Sequence, residues 1–316
     1  VMPPPAFRRG SAGGSRAPAG SDKAAACRAR APEEAIAEHA RLRAEVCALL
    51  PEEATFVPRE MPVHRLQEGC PFKSHAAMTL GEYADKAAAF TAQWVADHPG
   101  DGSPAELERA FWRSVCASEP AVDTLYGADL DSTDPALCFD RGRLPRGPWD
   151  LRALPRLPAS VLLPEVCGGI SGVTEPWLYV GMQFGCFAWH VEDLWMWSVN
   201  YLHAGAPKSW YGVPAASAAA FERASRRLVP ALFERSPDLL WQLVTMVSPS
   251  DLAAEGVQVC ACEQRAGEYV VTLPRAYHAG FSHGLNLAEA VNVATADWLA
   301  DGYNAMAAAQ LVRRPP

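Results

Sequence analysis

His190 and Glu192 stand two residues apart in FAWHVEDLWMWSVNYLHAGAPKSWYGVP, a run from Phe187 to Pro214 crowded with aromatic and β-branched side chains. In an extended strand the side chains at i and i+2 share a face, so this imidazole and this carboxylate converge on one point. A second imidazole, His278, comes from the distant stretch PRAYHAGFSHGLNLAEAVNVAT, from Pro274 to Thr295. Two histidines and one carboxylate on one face of an iron ion leave three positions open. Non-haem Fe(II) oxygenases use this arrangement to bring a co-substrate and O2 together. An HxE tripeptide alone reads more readily as a core histidine beside an acid, so the neighbours decide. Ser198 and Asn200 share parity with the pair and can face the same cavity. Lys208 then follows in PKSWYGVP, and the chain has lysine elsewhere only at Lys23, Lys73 and Lys86. A cation in an apolar strand needs an anion, because burying it alone is costly. A dicarboxylate co-substrate would provide one.

Further motifs surround this core. LYGADLDST runs from Leu125 to Thr133, and SVLLPEVCGGISGVTEPWLYVGM ends at Met182. WYGVP, PDLLWQLVTMVSPSDL, AGEYVVTLPRAYHAGF and AEAVNVATADWL follow. In this order they make the segment from about Glu106 to Gly302 resemble the Jumonji C (JmjC) histone lysine demethylases. The likeness is to the JARID-like branch with plant members, which acts on methylated lysine 4 of histone H3. The resemblance implies that His190, Glu192 and His278 hold Fe(II). It implies that Lys208 pairs with the distal carboxylate of 2-oxoglutarate and that Tyr126 hydrogen-bonds it. Ser198 and Asn200 would line the co-substrate pocket, with Phe187 packed beside it. Gly172, Tyr179 and Asn292 fall where the family receives the methylated ammonium. Ala290 stands where relatives outside this branch carry serine. Trp197 and Ala204 replace the tyrosine and tryptophan usual in the branch, and Leu194 replaces a polar residue. These changes flank the site without removing a ligand, and bear on substrate fit.

The implied reaction consumes 2-oxoglutarate and O2, oxidises an N-methyl group, and releases succinate, CO2 and formaldehyde. The implied partners are a methylated histone H3 tail and chromatin complexes, and the implied location is the nucleus. Two alternatives remain open: a JmjC hydroxylase that acts on a protein side chain, and a catalytically silent chromatin-binding scaffold. Trp189, Trp195, Trp197 and Trp210 either exclude water from the site or pack the core.

Composition sets outer bounds. The chain has 316 residues, 49% of them hydrophobic, and a formal net charge of −8. That suffices for a substantial core and does not favour direct nucleic-acid binding, which leaves a basic footprint. Asp129, Asp131 and Asp134 read as a solvated acidic loop or as one wall of a peptide groove. The nine cysteines are scattered and odd in number, as suits a reducing compartment. Cys260 and Cys262 invite a zinc reading, but no second His/Cys pair accompanies them. No apolar run approaches the length of a membrane span. Of the remaining histidines, His203 reads as a neighbour of the ligands and His283 as a turn residue. His39, His64, His75 and His98 read as surface.

The positioning elements are legible in outline. Residues 1–32, rich in Ala, Pro, Gly and Arg, read as a disordered lead-in, with an organelle transit peptide as the minor alternative. Residues 33–120 read as a helical N-terminal support region. Within it, Glu33–Leu50 repeats Ile36, Ala40, Val46 and Leu50. Thr79 and Glu82 form a capping box ahead of Leu80, Tyr83, Ala87, Phe90 and Trp94. Ser103 and Pro104 open a helix carrying Leu107, Phe111 and Val115. Residues 121–143 hold the YGAD segment and a loop, and residues 144–310 the JmjC catalytic domain. Loops are expected at Pro145–Pro148 and Pro155–Pro158. From about Ser160 the pattern shortens into strands, interrupted by a helical insert from about Pro214 to Glu255. There Ser236–Pro237–Asp238 starts a second helix, and Gly256 ends the insert. The expected fold class is mainly β with flanking α-helices, a double-stranded β-helix (jelly roll, cupin-like) core with a helical insert.

Overall fold

The computed structural model describes residues 30–313, apart from 70, 71, 101, 141, 143, 145–148, 164–167, 238 and 242–244. Most of the lead-in and the loop at Pro145–Pro148 lie outside these described residues.

Two antiparallel sheets carry the fold. The larger has seven strands in the order β11-β8-β13-β6-β5-β2-β3. These are β2 (Arg59–Pro62), β3 (Lys73–Ser74), β5 (Asp123–Asp131), β6 (Trp177–Gly181), β8 (Trp197–Gly205), β11 (Tyr269–Thr272) and β13 (Asn286–Val293). The smaller has the order β10-β9-β12-β7, from β7 (Cys186–His190), β9 (Lys208–Val213), β10 (Cys260–Gln264) and β12 (Tyr277–Ser282). A separate pair joins β1 (Thr55–Phe56) to β4 (Met78–Thr79). The sheets face each other across a pocket lined from both sides, which is the jelly-roll arrangement without a closed barrel.

Helices cover the outer faces. α1 (Pro32–Cys47) and α2 (Leu80–Asp97) bury Leu42, Val46, Tyr83 and Ala87 in one cluster with Leu178, Val180 and Leu287 of the larger sheet. The buried Tyr83 hydroxyl reaches the carbonyls of Leu125 and Val180, each at 3.0 Å, and so fastens α2 to β5 and β6. α3 (Pro104–Ala117) and α4 (Ala218–Leu228) place Phe111 and Phe221 in a second cluster with Trp189, Tyr211 and Phe281 of the smaller sheet. Both helix starts expected from sequence form. Thr79 Oγ1 accepts from the Glu82 amide while Glu82 accepts from Thr79, and Ser103 caps α3 with Pro104 at its first position.

Four sequence expectations need correction. α1 buries Ala35, His39, Leu42 and Val46, while Ile36 is 57% exposed. Of the expected stripe, Val46 and Leu50 are buried, whereas Ile36 and Ala40 lie one position, about 100°, from the buried Ala35 and His39. His39, expected on the surface, is buried, and burial holds its pKa below the usual value. Residues 33–120 are not only helical, because β2 and β3 extend the main sheet. In the insert, the second helix is α5 (Pro230–Arg235), started by Pro230 at its first position. Among the described residues that follow Ser236, a short 3-10 turn forms at Leu239–Trp241, while Asp238 of the expected helix start lies outside them. A further short helix, α6 (Pro249–Ala254), precedes Gly256, whose φ of +78° ends the insert as expected.

One irregularity bears directly on the pocket. β12 pairs His278 with His190 but Gly280 with Phe187, so β7 carries an extra residue opposite β12. Such a bulge puts Phe187 and His190, three residues apart, on the same wall, and both line the pocket. The bulged Trp189 amide bonds the Thr245 carbonyl at 3.3 Å. A Cβ on Gly280 would lie 2.2 Å from Ser209 O and 2.5 Å from Phe187 Cζ. Gly280→Ala should therefore cost about 1–3 kcal/mol, as overpacking does, and drive Phe187 into the pocket. Urea unfolding checks the first effect, and an unchanged midpoint would refute this account of the bulge.

Candidate metal centre and co-substrate pocket

His190 ends β7, and Glu192 follows in extended conformation just beyond the strand (φ −65°, ψ 157°). β12 brings His278 directly opposite His190, with ring centroids 4.1 Å apart. One ligand atom from each of His190, Glu192 and His278 lies within 4.8 Å of the others; among the described residues this is the one such group. Hydrogen-bond partners fix which atoms point inward. Each Nδ1 lies near a backbone carbonyl acceptor, Ala188 O at 2.8 Å for His190 and Ala276 O at 3.0 Å for His278. A carbonyl accepts only, so Nδ1 carries a proton in each ring and Nε2 is the atom turned to the centre. His278 Nε2 then faces Glu192 Oε1 at 3.3 Å, a contact that a proton or a metal cation between them satisfies. Burial, reinforced by His278, lowers the His190 pKa to about 4. Burial alone would raise Glu192, but the hydrogen bond and charge of His278, the charge of His190 and the Asn292 amide outweigh it and lower that carboxyl to about 2. His190 and Glu192 are therefore ready to ligate without shedding protons at neutral pH. Two imidazole nitrogens and one carboxylate fit Fe(II). Asn292 Nδ2 donates to Glu192 Oε2 at 2.9 Å and to Trp197 O at 3.3 Å, which fixes the carboxylate.

Beside this centre is a pocket of about 120 Å³ lined by Tyr126, Phe187, Ser198, Asn200, Lys208 and Trp210. Lys208 is 1% exposed, and its Nζ donates to Tyr126 Oη at 3.1 Å and Ser282 Oγ at 3.3 Å. Among the described residues no carboxylate pairs with it. Burial lowers its pKa to about 7. The ring of Phe187 packs 4.6 Å from Trp210, and Ser198 shares a 2.6 Å hydrogen bond with Thr272.

A wider groove of about 480 Å³ opens on the other side of His190 and Glu192, and Gly172, Tyr179 and Asn292 line it. Gly172 has φ +80°, and a Cβ there would meet the Trp177 ring at 2.7 Å. Asp129 also lines both cavities and pairs with Arg59. The solvated-loop reading therefore fails at Asp129, although it holds for Asp134, which caps a short turn. Trp210 borders the pocket, whereas Trp189 turns to the core and donates to Val247 O at 2.8 Å. His203 is not a neighbour of the ligands: it lies at the opposite parity of β8 and pairs with Glu289 at 3.0 Å. His283 bonds Ser209 at 2.8 Å instead of joining the centre.

Several pocket residues escaped sequence reasoning. Arg59, Met61 and Phe72 reach the pocket from the N-terminal region, and Ser282 and Gln264 contact Lys208 and Asn200. Their types carry no chemical signal on their own. Only the strand order places them.

Comparison with known proteins agrees with the geometry. Residues 177–293 match the family described as JmjC domain, hydroxylase. The chain is similar to "Lysine-specific demethylase JMJ703" of Oryza sativa subsp. japonica, 46% identical over 241 residues, covering 72% of this chain and 19% of that protein. It is also similar to "Lysine-specific demethylase 5D" of Homo sapiens, 43% identical over 242 residues, covering 73% of this chain and 15% of that protein. The chain thus spans less than a fifth of the length of these relatives.

If Asn292 holds the carboxylate as its hydrogen bonds indicate, Asn292→Ala should weaken divalent-metal binding roughly 10–100-fold, the usual cost of losing a partner that orients a ligand. Calorimetric titration with Mn(II) measures this, and unaltered affinity would show that Glu192 needs no such support.

Proposed function

We propose, from the JmjC domain that residues 177–293 carry, that the chain is an Fe(II)- and 2-oxoglutarate-dependent oxygenase. It demethylates lysine on histone H3 in the nucleus, with lysine 4 as the preferred site. The observation that carries this reading is a pairing of opposites: a cation-seeking triad, His190, Glu192 and His278, beside a buried ammonium whose protein partners are two hydroxyls. A ligand with a metal-chelating oxo-acid head and a second carboxylate satisfies both ends at once. The names of the relatives support lysine demethylation; lysine 4 rests on the branch-like motifs.

Each residue then has a task. His190, Glu192 and His278 hold the metal, which when bound supplies Lewis acidity and one-electron chemistry toward O2. Lys208 neutralises the distal carboxylate, and Tyr126 and Ser282 hold that ammonium in line. Ser198 and Asn200 border the diacid, while Phe187 and Trp210 keep water from it. In the neighbouring groove, Gly172, Tyr179 and Asn292 surround the methylated ammonium and bring one methyl group toward the centre. Gly172 leaves the space a side chain would fill. The overall reaction consumes 2-oxoglutarate and O2 and yields succinate, CO2, formaldehyde and the demethylated lysine.

The decisive assay combines the chain with Fe(II), ascorbate, 2-oxoglutarate and methylated histone H3 peptides. We expect peptide mass to fall by about 14 units (one CH2) per methyl removed, with matching succinate. His190→Ala should abolish both. A gain of one oxygen in place of that loss identifies a protein hydroxylase, and peptide binding without turnover identifies a chromatin-binding scaffold.

The Lys208 environment makes two pH effects of opposite sign. A free lysine titrates near ~10.4, so between about 7 and that value the folded apo-protein holds fewer protons than the unfolded chain. Apo stability should rise with pH across this window, because the cost of the buried charge is full below about 7 and fades above it. Affinity for 2-oxoglutarate should do the reverse, since the diacid binds the protonated amine and must recharge it above about 7. Lys208→Met should abolish co-substrate binding while stabilising the apo-protein by about 1–4 kcal/mol, as replacing a buried charge by an apolar side chain does. Calorimetry and urea unfolding from pH 6 to 9 read both, and co-substrate affinity independent of pH would rule out Lys208 as the anchor.

A further inference from the structure

Gln264 closes β10 at the corner where the chain leaves the smaller sheet for β11 of the larger one. Its backbone lies opposite Lys208 in the register, and its side chain is buried. Oε1 accepts from Trp210 Nε1 at 2.9 Å. Nε2 donates to Glu268 O at 3.1 Å, Asn200 O at 3.3 Å and Asn200 Oδ1 at 3.1 Å.

These partners leave no freedom in the assignment. An indole N–H only donates, so the Gln264 atom facing Trp210 is the oxygen. Backbone carbonyls only accept, so the atom facing Glu268 O and Asn200 O is the amide nitrogen. That nitrogen meets one end of the Asn200 side chain, which must be Oδ1. Amide orientation is ordinarily ambiguous, but here it is fixed from both sides. With Oδ1 committed, the group Asn200 has left for the pocket is its NH2.

We propose that Gln264 is a positioning residue for the co-substrate: by holding Asn200 Oδ1 it turns the Asn200 NH2 into the pocket as a donor for a carboxylate oxygen. The inference rests on the 2-oxoglutarate reading above and adds to it the source of the pocket's polarity. Nothing in the bond network requires Gln264 to touch the ligand. Its action passes through Asn200 of the larger sheet, while its bond to Trp210 on the neighbouring strand β9 ties that ring to the same point.

Gln264→Glu tests this with almost no change of shape. A carboxylate still accepts from Trp210 but cannot donate, so the Asn200 amide turns over to donate to it and shows its oxygen to the anionic ligand. Calorimetry of Mn(II)-loaded protein with 2-oxoglutarate at pH 7.5 should then show affinity at least tenfold weaker, with Mn(II) affinity unchanged. In an Asn200→Ala background the same substitution should cause no further loss. A purely structural corner staple predicts instead equal losses in both backgrounds, or a loss of Mn(II) affinity as well. Should the variant fail to fold, wild-type protein with 15N-labelled asparagine supplies the readout. The side-chain NH2 signal that disappears in Asn200→Ala should shift on adding 2-oxoglutarate, and a signal that stays in place overturns the proposal. Wild-type protein that takes up no 2-oxoglutarate sinks the functional reading itself. Wild-type uptake with an unaffected Gln264→Glu sinks only the role of Gln264.

Discussion

The register of β12 governs both ends of the site. Paired with β7 on one side and β9 on the other, β12 sets His278 against His190 and Ser282 against Lys208. One strand thus fixes the second imidazole of the metal set and one of the two hydroxyls that hold the ammonium. Because side chains alternate faces with period two, a slip of one residue would turn every one of these groups away. The register is held by burial, since all six residues of β12 are buried. Phe281 stacks on Phe111 of α3 at 4.3 Å, and Tyr277 packs on Phe221 of α4 at 4.4 Å. The outer helices therefore act on the chemistry at one remove. They lock the strand that aligns it.

Electrostatics divides the cavity into two halves with different needs. At one end, two imidazole Nε2 atoms and an ionised carboxylate gather around a point that wants positive charge. At the other, Lys208 sits among hydroxyls at a point that wants negative charge. Neither half is comfortable alone, because low local polarity magnifies an unpaired charge. Natural cores avoid such arrangements unless function demands them, which is why the two halves are best read together.

Sequence made the chemistry legible before the architecture. The pair His190 and Glu192, the isolated Lys208 and the parity of Ser198 and Asn200 announced a site because charged groups in aromatic strands are costly. The helix starts at Thr79 and Ser103 were equally readable, because capping is local. What sequence missed depends on contacts distant along the chain. In the α1 stripe Val46 and Leu50 were placed correctly, but Ile36 and Ala40 were one residue off, since neighbours such as Ile36 and Ala35 differ only in which faces the sheet. Phe187 and His190 have opposite parity in the strand and share a wall only through the bulge in β7. Arg59 and Phe72 carry no mark of their pocket role until β2 is seen to pair with β5. Gln264 looks like an ordinary strand residue until its four bonds are traced.

The placement of β2 also changes how the chain should be divided. A helical support region followed by a separate catalytic domain would leave the pocket complete without its N-terminal part. Instead the main sheet runs unbroken from β3 near residue 73 to β11 near residue 269. Arg59 lies on β2 across from Tyr126, and its guanidinium pairs with Asp129, which has φ +56° in the irregular stretch of β5. Without Arg59, the Asp129 carboxylate that both cavities share would lose its cationic partner and keep the Tyr179 hydroxyl. The pairing offsets a negative charge on the wall of the pocket that Lys208 also lines. The charge balance of the two cavities thus depends on residues far outside 177–293, and the structural unit that surrounds them is larger than that segment.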